Sequence, residues 1–224
     1  MGDQSFVSNR SRDRIRGLAR PIALGLGRLG LTPNGLTVIG FLGTCLAAVA
    51  AAAQWWLAAG ILVIAFGIFD MFDGALARAT GTASQFGAFL DSTLDRTGES
   101  LVLAGVAVGC AVAGFVPGVV LAGIAAAFAS SVTYTRAKAE SLGVKGDVGV
   151  APRPERLVVL TAGLVLAGLL GGIGRLGGTI PDEVWIRGDA IISFALGLIA
   201  VLAAITVAQR TLFVRRQLDL NQPR

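Results

Sequence analysis

Residues 29–69 read LGLTPNGLTVIGFLGTCLAAVAAAAQWWLAAGILVIAFGIF, 41 positions without one Asp, Glu, Lys or Arg. A bilayer-spanning helix takes about 20 predominantly apolar residues, so the stretch is long enough for two. They divide at the polar interruption Gln54-Trp55-Trp56, and tryptophan favours the membrane interface, which suits a turn there. Three further charge-free runs follow. Ser100–Thr135 (36 residues) breaks at Gly114-Phe115-Val116-Pro117-Gly118, while Leu157–Gly174 (18) and Ala190–Gln209 (20) each hold one helix. The expected fold is all-α: a polytopic membrane protein with six transmembrane helices over about 35–53, 57–79, 87–113, 117–139, 153–172 and 186–211.

Composition supports this. Of 224 residues, 54% are apolar and 15% charged, and the mean hydropathy is +0.73. Soluble domains carry nearer a quarter charged residues, so a soluble globular protein is excluded. Histidine is absent, which removes any His base, His ligand or Ser-His-Asp triad and leaves carboxylates, basic groups, hydroxyls and metal ions for chemistry. Cys45 and Cys110 each sit inside an apolar run and read as small buried hydrophobes rather than a disulfide framework. Residues 1–20 are polar and Arg-rich with no signal-peptide core, so neither cleavage nor export is expected.

Basic residues set the expected orientation. Arg10, Arg12, Arg14, Arg16, Arg20 and Arg28 precede the first span, and Arg78 and Arg96 flank the connection between spans two and three. Arg136, Lys138, Lys145, Arg153 and Arg156 surround the connection between four and five, and Arg210, Arg215, Arg216 and Arg224 end the chain. The opposite side has only Arg175 and Arg187, beside Asp182, Glu183 and Asp189. The positive-inside rule puts both termini in the cytoplasm. Before the first span, Ile15, Leu18, Ile22, Leu26 and Leu29 recur at helical steps among arginines, the pattern of an amphipathic helix in the headgroup layer, started or kinked at Pro21. The expected organisation is a cytoplasmic segment 1–34, a six-helix domain 35–211 and a tail 212–224.

Five of the fourteen acidic residues fall between positions 70 and 99. Asp70 and Asp73 share a helix face near the cytoplasmic end of span two, and Asp91 and Asp95 share one in the first turns of span three. A short antiparallel connection brings the pairs together. An acidic residue in a transmembrane helix costs on the order of 2.5–3.5 kcal/mol on insertion scales and usually marks function. Arg78 and Arg96 supply at most two counter-charges, and oxygen-only ligands suit hard ions such as Mg²⁺ or Mn²⁺. Gly74, Ala77 and Gly87 leave room for a ligand to approach the backbone; close helix packing is the plainer role of such small residues.

The pattern D-x-x-D-G-x-x-A-R-x(8)-G-x-x-x-D-x-x-x-D is matched by Asp70, Asp73, Gly74, Ala77, Arg78, Gly87, Asp91 and Asp95. It resembles the signature of the CDP-alcohol phosphatidyltransferases, and the similarity runs from Leu31-Thr32-Pro33-Asn34 to the last helix. The resemblance implies a six-helix integral enzyme with two divalent ions (Mg²⁺ or Mn²⁺) that displaces CMP from a CDP-linked lipid by an alcohol. It implies Asp70, Asp73, Asp91 and Asp95 as metal ligands, Asp95 also being the catalytic base. Asp70, Asp73, Gly74, Ala77, Arg78, Ser84 and Gly87 would bind CDP. Carboxylate-assisted attack with charge neutralised on departing CMP is sound chemistry.

The segments Tyr134-Thr135-Arg136-Ala137-Lys138-Ala139-Glu140 and Arg153-Pro154-Glu155-Arg156 form a basic cluster suited to an anionic acceptor, or simply to positive-inside topology. They resemble one branch of the family, the bacterial phosphatidylinositol-phosphate synthases, with the order of Arg136 and Lys138 exchanged. An Ala-Gln-Arg at 208–210 extends the likeness. It implies Arg136, Lys138, Arg153, Arg156 and Arg210 as acceptor-phosphate ligands, with CDP-diacylglycerol and inositol 1-phosphate as substrates. An ether-lipid donor would look similar.

A phosphatidylglycerophosphate synthase using glycerol 3-phosphate is the chief rival. A divalent-cation transporter would carry acids near the midplane and broken helices in both halves, and a scaffold has no need of buried carboxylates. No nucleic-acid partner is expected. Gly105 and Gly109 form a GxxxG pair suited to close packing between helices or protomers, and the family resemblance implies a homodimer in the plasma membrane with a cytoplasmic active site.

Overall fold

The computed structural model describes residues 21–170 and 182–220, with side chains over 21–170 and 188–220. Every regular element among the described residues is helical. They are a short helix over 21–28 (α1), then Pro33–Ala52 (α2), Trp56–Thr80 (α3), Gln85–Val112 (α4), Val116–Ser141 (α5), Arg153–Leu170 (α6) and Asp182–Leu220 (α7). Helices thus stand at all six expected positions, and α7 runs on through 212–220, expected as a tail.

Four helices are long and apolar enough to cross a membrane: α2, α3, α5 and the Gly188–Leu220 part of α7. The chain is a membrane protein. Asp91, Asp95, Arg96 and Glu99 load the first half of α4, and Arg153, Glu155 and Arg156 open the 18-residue α6.

Local chemistry explains the helix starts. Thr32 caps α2: its hydroxyl accepts from the Gly35 amide (3.1 Å) and its carbonyl from Leu36 (3.0 Å), with Pro33 as first helical residue. Ser84 caps α4 in the same way, through the Gly87 amide (3.0 Å) and the Ala88 amide (3.1 Å). The turn after α2 falls at Gln54, whose φ of 63° is left-handed. Trp55 is exposed there, whereas Trp56 is buried.

The chain forms two compact units, Met1–Gly43 with Ala65–Asp95, and Thr44–Ile64 with Arg96–Arg224. The first has a small core in which Ala23, Leu36, Ala75 and Leu76 are buried and Leu26, Leu31, Phe69 and Phe72 pack on them. Of the expected amphipathic stripe, Ile22 and Leu29 are exposed and Leu26 is partly buried. Ile15 and Leu18 lie outside the described residues, as do Arg10, Arg12, Arg14, Arg16, Arg20, Arg175 and Arg224; the side chains of Asp182, Glu183 and Arg187 are likewise outside them.

The second unit holds the larger core, drawn from α2 to α7 and rich in alanine beside Trp56, Leu103, Leu164, Leu196 and Ile199. Both α5 and α6 pack on α7. The GxxxG pair works inside the chain. A Cβ on Gly105 would lie 2.2 Å from the Ala48 carbonyl oxygen, and one on Gly109 would lie 2.3 Å from that of Ala51. Backbone meets backbone along this seam, as small residues permit in membranes. Gly105→Ala is therefore expected to cost about 1–3 kcal/mol by overpacking, read as a lower unfolding temperature in detergent. Gly123→Ala, with open space at its Cβ, is the control, and equal stability of the two variants would refute the seam. Cys45 and Cys110 are free thiols, Cys110 being buried.

Candidate active site

Within the first unit, α3 carries Asp70, Asp73, Gly74, Ala77 and Arg78 in consecutive turns, and the start of α4 carries Gly87, Asp91 and Asp95. Asp73 is buried. Its Oδ2 accepts a 2.6 Å hydrogen bond from the Thr37 hydroxyl, and its Oδ1 accepts from the Gly74 amide. Asp91 and Asp95 lie within electrostatic reach of Asp73, so the fold does bring carboxylates of the two helices toward one another. Asp70 lies against α2, where a Cβ on Gly40 would stand 2.9 Å from its Oδ1.

The small residues take defined places. Arg78 folds back along its own helix, with its guanidinium 3.2 Å from where a Gly74 Cβ would be. A Cβ on Gly87 would meet Asn34 Oδ1 and Ser84 Oγ, each at 3.1 Å. Ser84 thus has a capping task, and Ala77 is partly buried. Thr37 and Gly40 on α2 are neighbours of Asp73 and Asp70 that the sequence reading missed. Their signal is their spacing of three, which matches that of the two aspartates.

Four carboxylates with no imidazole or thiolate form an oxygen donor set that fits a hard divalent cation. Converging like charges also favour a cation among them. Among the described residues no three His, Cys, Asp or Glu side chains close into a ready-made metal cluster. The donor set fits in kind, then, and its arrangement here is open.

The second unit gathers the basic residues. Arg156 is fully buried and forms a two-pronged ion pair with Glu99 of α4, Nε to Oε1 and Nη2 to Oε2, both 2.8 Å. Its Nη1 donates to the Ala151 carbonyl (3.0 Å). Arg210 is also buried and donates from Nε to the Val148 carbonyl (3.2 Å) and from Nη1 to that of Val132. Those bonds use two of its five N–H groups. Arg136 and Arg156 lie within electrostatic reach of Arg210, with Glu140 and Asp147 as opposing charges. Arg136 is exposed and bonds Glu140 one turn on (2.9 Å); Lys138 is exposed and Arg153 half-buried.

Glu99 is the residue here that sequence reasoning did not assign. It also borders a cavity of about 280 Å³ between α4 and α5, walled by Arg96, Ser100, Ser130, Thr133 and Tyr134.

Comparison with known proteins identifies the family. Residues 30–214 match the family model described as CDP-alcohol phosphatidyltransferase. The chain is 39% identical over 198 residues to the phosphatidylinositol phosphate synthase of Cutibacterium acnes, covering 88% of this chain and 91% of that protein. It is 34% identical over 212 residues to the archaetidylinositol phosphate synthase of Pyrococcus horikoshii, covering 94% and 97%. A crystal structure of Mycobacterium tuberculosis phosphatidylinositol phosphate synthase with CDP-DAG bound superposes with a TM-score of 0.75 at 32% identity, over 88% of this chain and 92% of that one. The same protein in complex with manganese and citrate gives a TM-score of 0.74 at 32% identity, over 88% of each chain. Signature, fold and relatives agree: the chain belongs to the CDP-alcohol phosphatidyltransferase family and is a transferase of that class.

Proposed function

We propose that the protein transfers the phosphatidyl group of CDP-diacylglycerol to inositol 1-phosphate, giving phosphatidylinositol phosphate and CMP. The observation that carries the acceptor assignment is the set of arginines drawn together around the α5–α6 connection, Arg136 and Arg156 within reach of Arg210. Such a cluster recognises a phosphorylated alcohol. The relatives named as inositol phosphate synthases support inositol over glycerol.

In this reading Asp70, Asp73, Asp91 and Asp95 hold divalent cations, two per site. Mn²⁺ is a fitting choice because a related structure contains manganese. Bound there, the ions supply charge neutralisation for the diphosphate and the departing CMP. Gly74, Ala77, Arg78, Ser84 and Gly87, with Asp70 and Asp73, form the CDP pocket; Arg78 brings the one positive charge of that stretch. Asp95 takes the proton of the acceptor hydroxyl as its oxygen attacks the lipid-bearing phosphorus, and the bond from phosphorus to the CMP oxygen breaks. Thr37, bonded to Asp73, keeps that carboxylate oriented. Arg136, Lys138, Arg153 and Arg210 receive the acceptor phosphate. Arg156, locked to Glu99, contributes field and holds the start of α6.

Membrane placement follows the same reasoning. Six helices cross the plasma membrane, residues 1–34 lie on its cytoplasmic face as an amphipathic segment, residues 35–211 form the catalytic domain, and 212–224 and the active site are cytoplasmic. The charge asymmetry supports this orientation. A homodimer completes the reading, built on surfaces other than the Gly105/Gly109 seam, which is used within the chain.

The test is CMP release by purified protein with CDP-diacylglycerol and Mg²⁺ or Mn²⁺ against inositol 1-phosphate, inositol and glycerol 3-phosphate. Turnover with inositol 1-phosphate alone is expected, and its loss on chelation with EDTA. Turnover with glycerol 3-phosphate alone would overturn the acceptor assignment. Faster turnover with a CDP-linked ether lipid would reassign the donor.

A further inference from the structure

The connection between α5 and α6 has no regular structure from Val144 to Pro152, yet its last part is bonded residue by residue. The Val148 carbonyl accepts from Arg210 Nε (3.2 Å), the Val150 amide donates to Gln209 Oε1 (3.1 Å), and the Ala151 amide donates to Thr206 Oγ1 (3.0 Å). Between them Gly149 takes φ +139°, and a Cβ there would fall 2.3 Å from Thr206 Cγ2. Thr206, Gln209 and Arg210 are spaced i, i+3, i+4, so they form one face of a single turn of α7. Ala151 is held from both ends, since its carbonyl takes the Arg156 Nη1 donor and Arg156 is itself gripped by Glu99. Arg153 opens α6 two residues later.

We propose that this turn of α7 is a clasp that sets the conformation of the acceptor loop, making Thr206 and Gln209 positioning residues for acceptor binding. The clasp reads backbone rather than side chains. The identity of Val148 and Val150 therefore matters little, whereas Gly149, the fully buried Ala151 and the α7 side chains matter much. Its output is the placement of Arg153 and the start of α6. Binding groups displaced by about an ångström can cost 10²-fold in rate or affinity, so a loosened loop should weaken the acceptor step selectively. This inference rests on the reading that the basic residues flanking this loop bind the acceptor.

The test uses full-length protein in phosphatidylcholine–phosphatidylglycerol nanodiscs, comparing Gln209→Ala, Thr206→Val and Thr206→Ser. Amide exchange at Val150 and Ala151 is measured with KM for inositol 1-phosphate and, separately, for CDP-diacylglycerol. Expected are faster exchange in Gln209→Ala and Thr206→Val, a rise of roughly tenfold or more in acceptor KM, a CDP-diacylglycerol KM within twofold of wild type, and near-normal values in Thr206→Ser. Should buried Thr206→Val fail to fold, Gln209→Ala, at an exposed side chain, decides alone. An acceptor KM unchanged in Gln209→Ala overturns the clasp, and so does an equal rise in both KM values. If wild-type protein turns over only with glycerol 3-phosphate, the acceptor assignment falls while the same comparison, run with that acceptor, still judges the clasp.

Discussion

Asp95→Asn is expected to lower kcat by about 10²–10⁴-fold, the range that a positioned general base contributes, while CDP-diacylglycerol still binds measurably. The amide keeps the shape of the carboxylate and removes its ability to take the hydroxyl proton. With no histidine in the chain, no imidazole stands ready as a replacement base. CMP release in single-turnover assays checks this, beside equilibrium binding of a labelled CDP-lipid. Undiminished CMP release would remove Asp95 from the chemistry. Lost lipid binding with unchanged turnover of bound lipid would instead make it a pure ligand for the donor.

Glu99→Gln is expected to be strongly destabilising. It leaves the Arg156 guanidinium, with a side chain 1% exposed, without its counter-charge, and removing one partner of a buried pair costs about 3–5 kcal/mol. Arg156→Met should cost a similar amount for the reciprocal reason. Because a well-packed apolar replacement of both partners is often neutral, Glu99→Leu with Arg156→Met should recover much of the loss. Unfolding midpoints in a detergent titration give the three values, and their non-additivity is the coupling. Single variants as stable as wild type would mean that water or another group compensates the charge.

The helices were legible because charge is forbidden along most of a lipid-facing surface. Gaps between charges, divided at Gln54-Trp55-Trp56 and at Gly114–Gly118 and extended by helical spacing, place α2 to α6 within a few residues of where they stand. The end of α7 was not legible that way. Residues 212–224 read as a tail, but Arg215 and Asp219 are one turn apart on a continuing helix, where charges spaced i, i+4 can pair.

For the site, the aspartates announce themselves by helical spacing, since local geometry follows from local sequence. Partners distant in sequence do not. Thr37 is 36 residues from Asp73, Glu99 is 57 from Arg156, and Thr206 is 55 from Ala151. Each pairing depends on which helices become neighbours. Arg156 shows the limit well: its sequence context suggests a phosphate ligand, and only packing reveals the carboxylate already in its fork.

Gln54 has a consequence for how the protein is made. Its side-chain amide, buried at the α2–α3 turn, donates to the Gly109 carbonyl (2.9 Å) near the end of α4. During synthesis α3 is complete at Thr80, 29 residues before Gly109 is added. Until then the amide must stay hydrated or be sheltered by the insertion machinery, because an unpaired polar group is costly in an apolar layer. The helix that carries the Gly109 carbonyl also packs Gly105 and Gly109 against α2. The bond thus ties the α2–α3 turn to a helix made later, and Gln54→Leu should leave the Gly109 carbonyl without this donor.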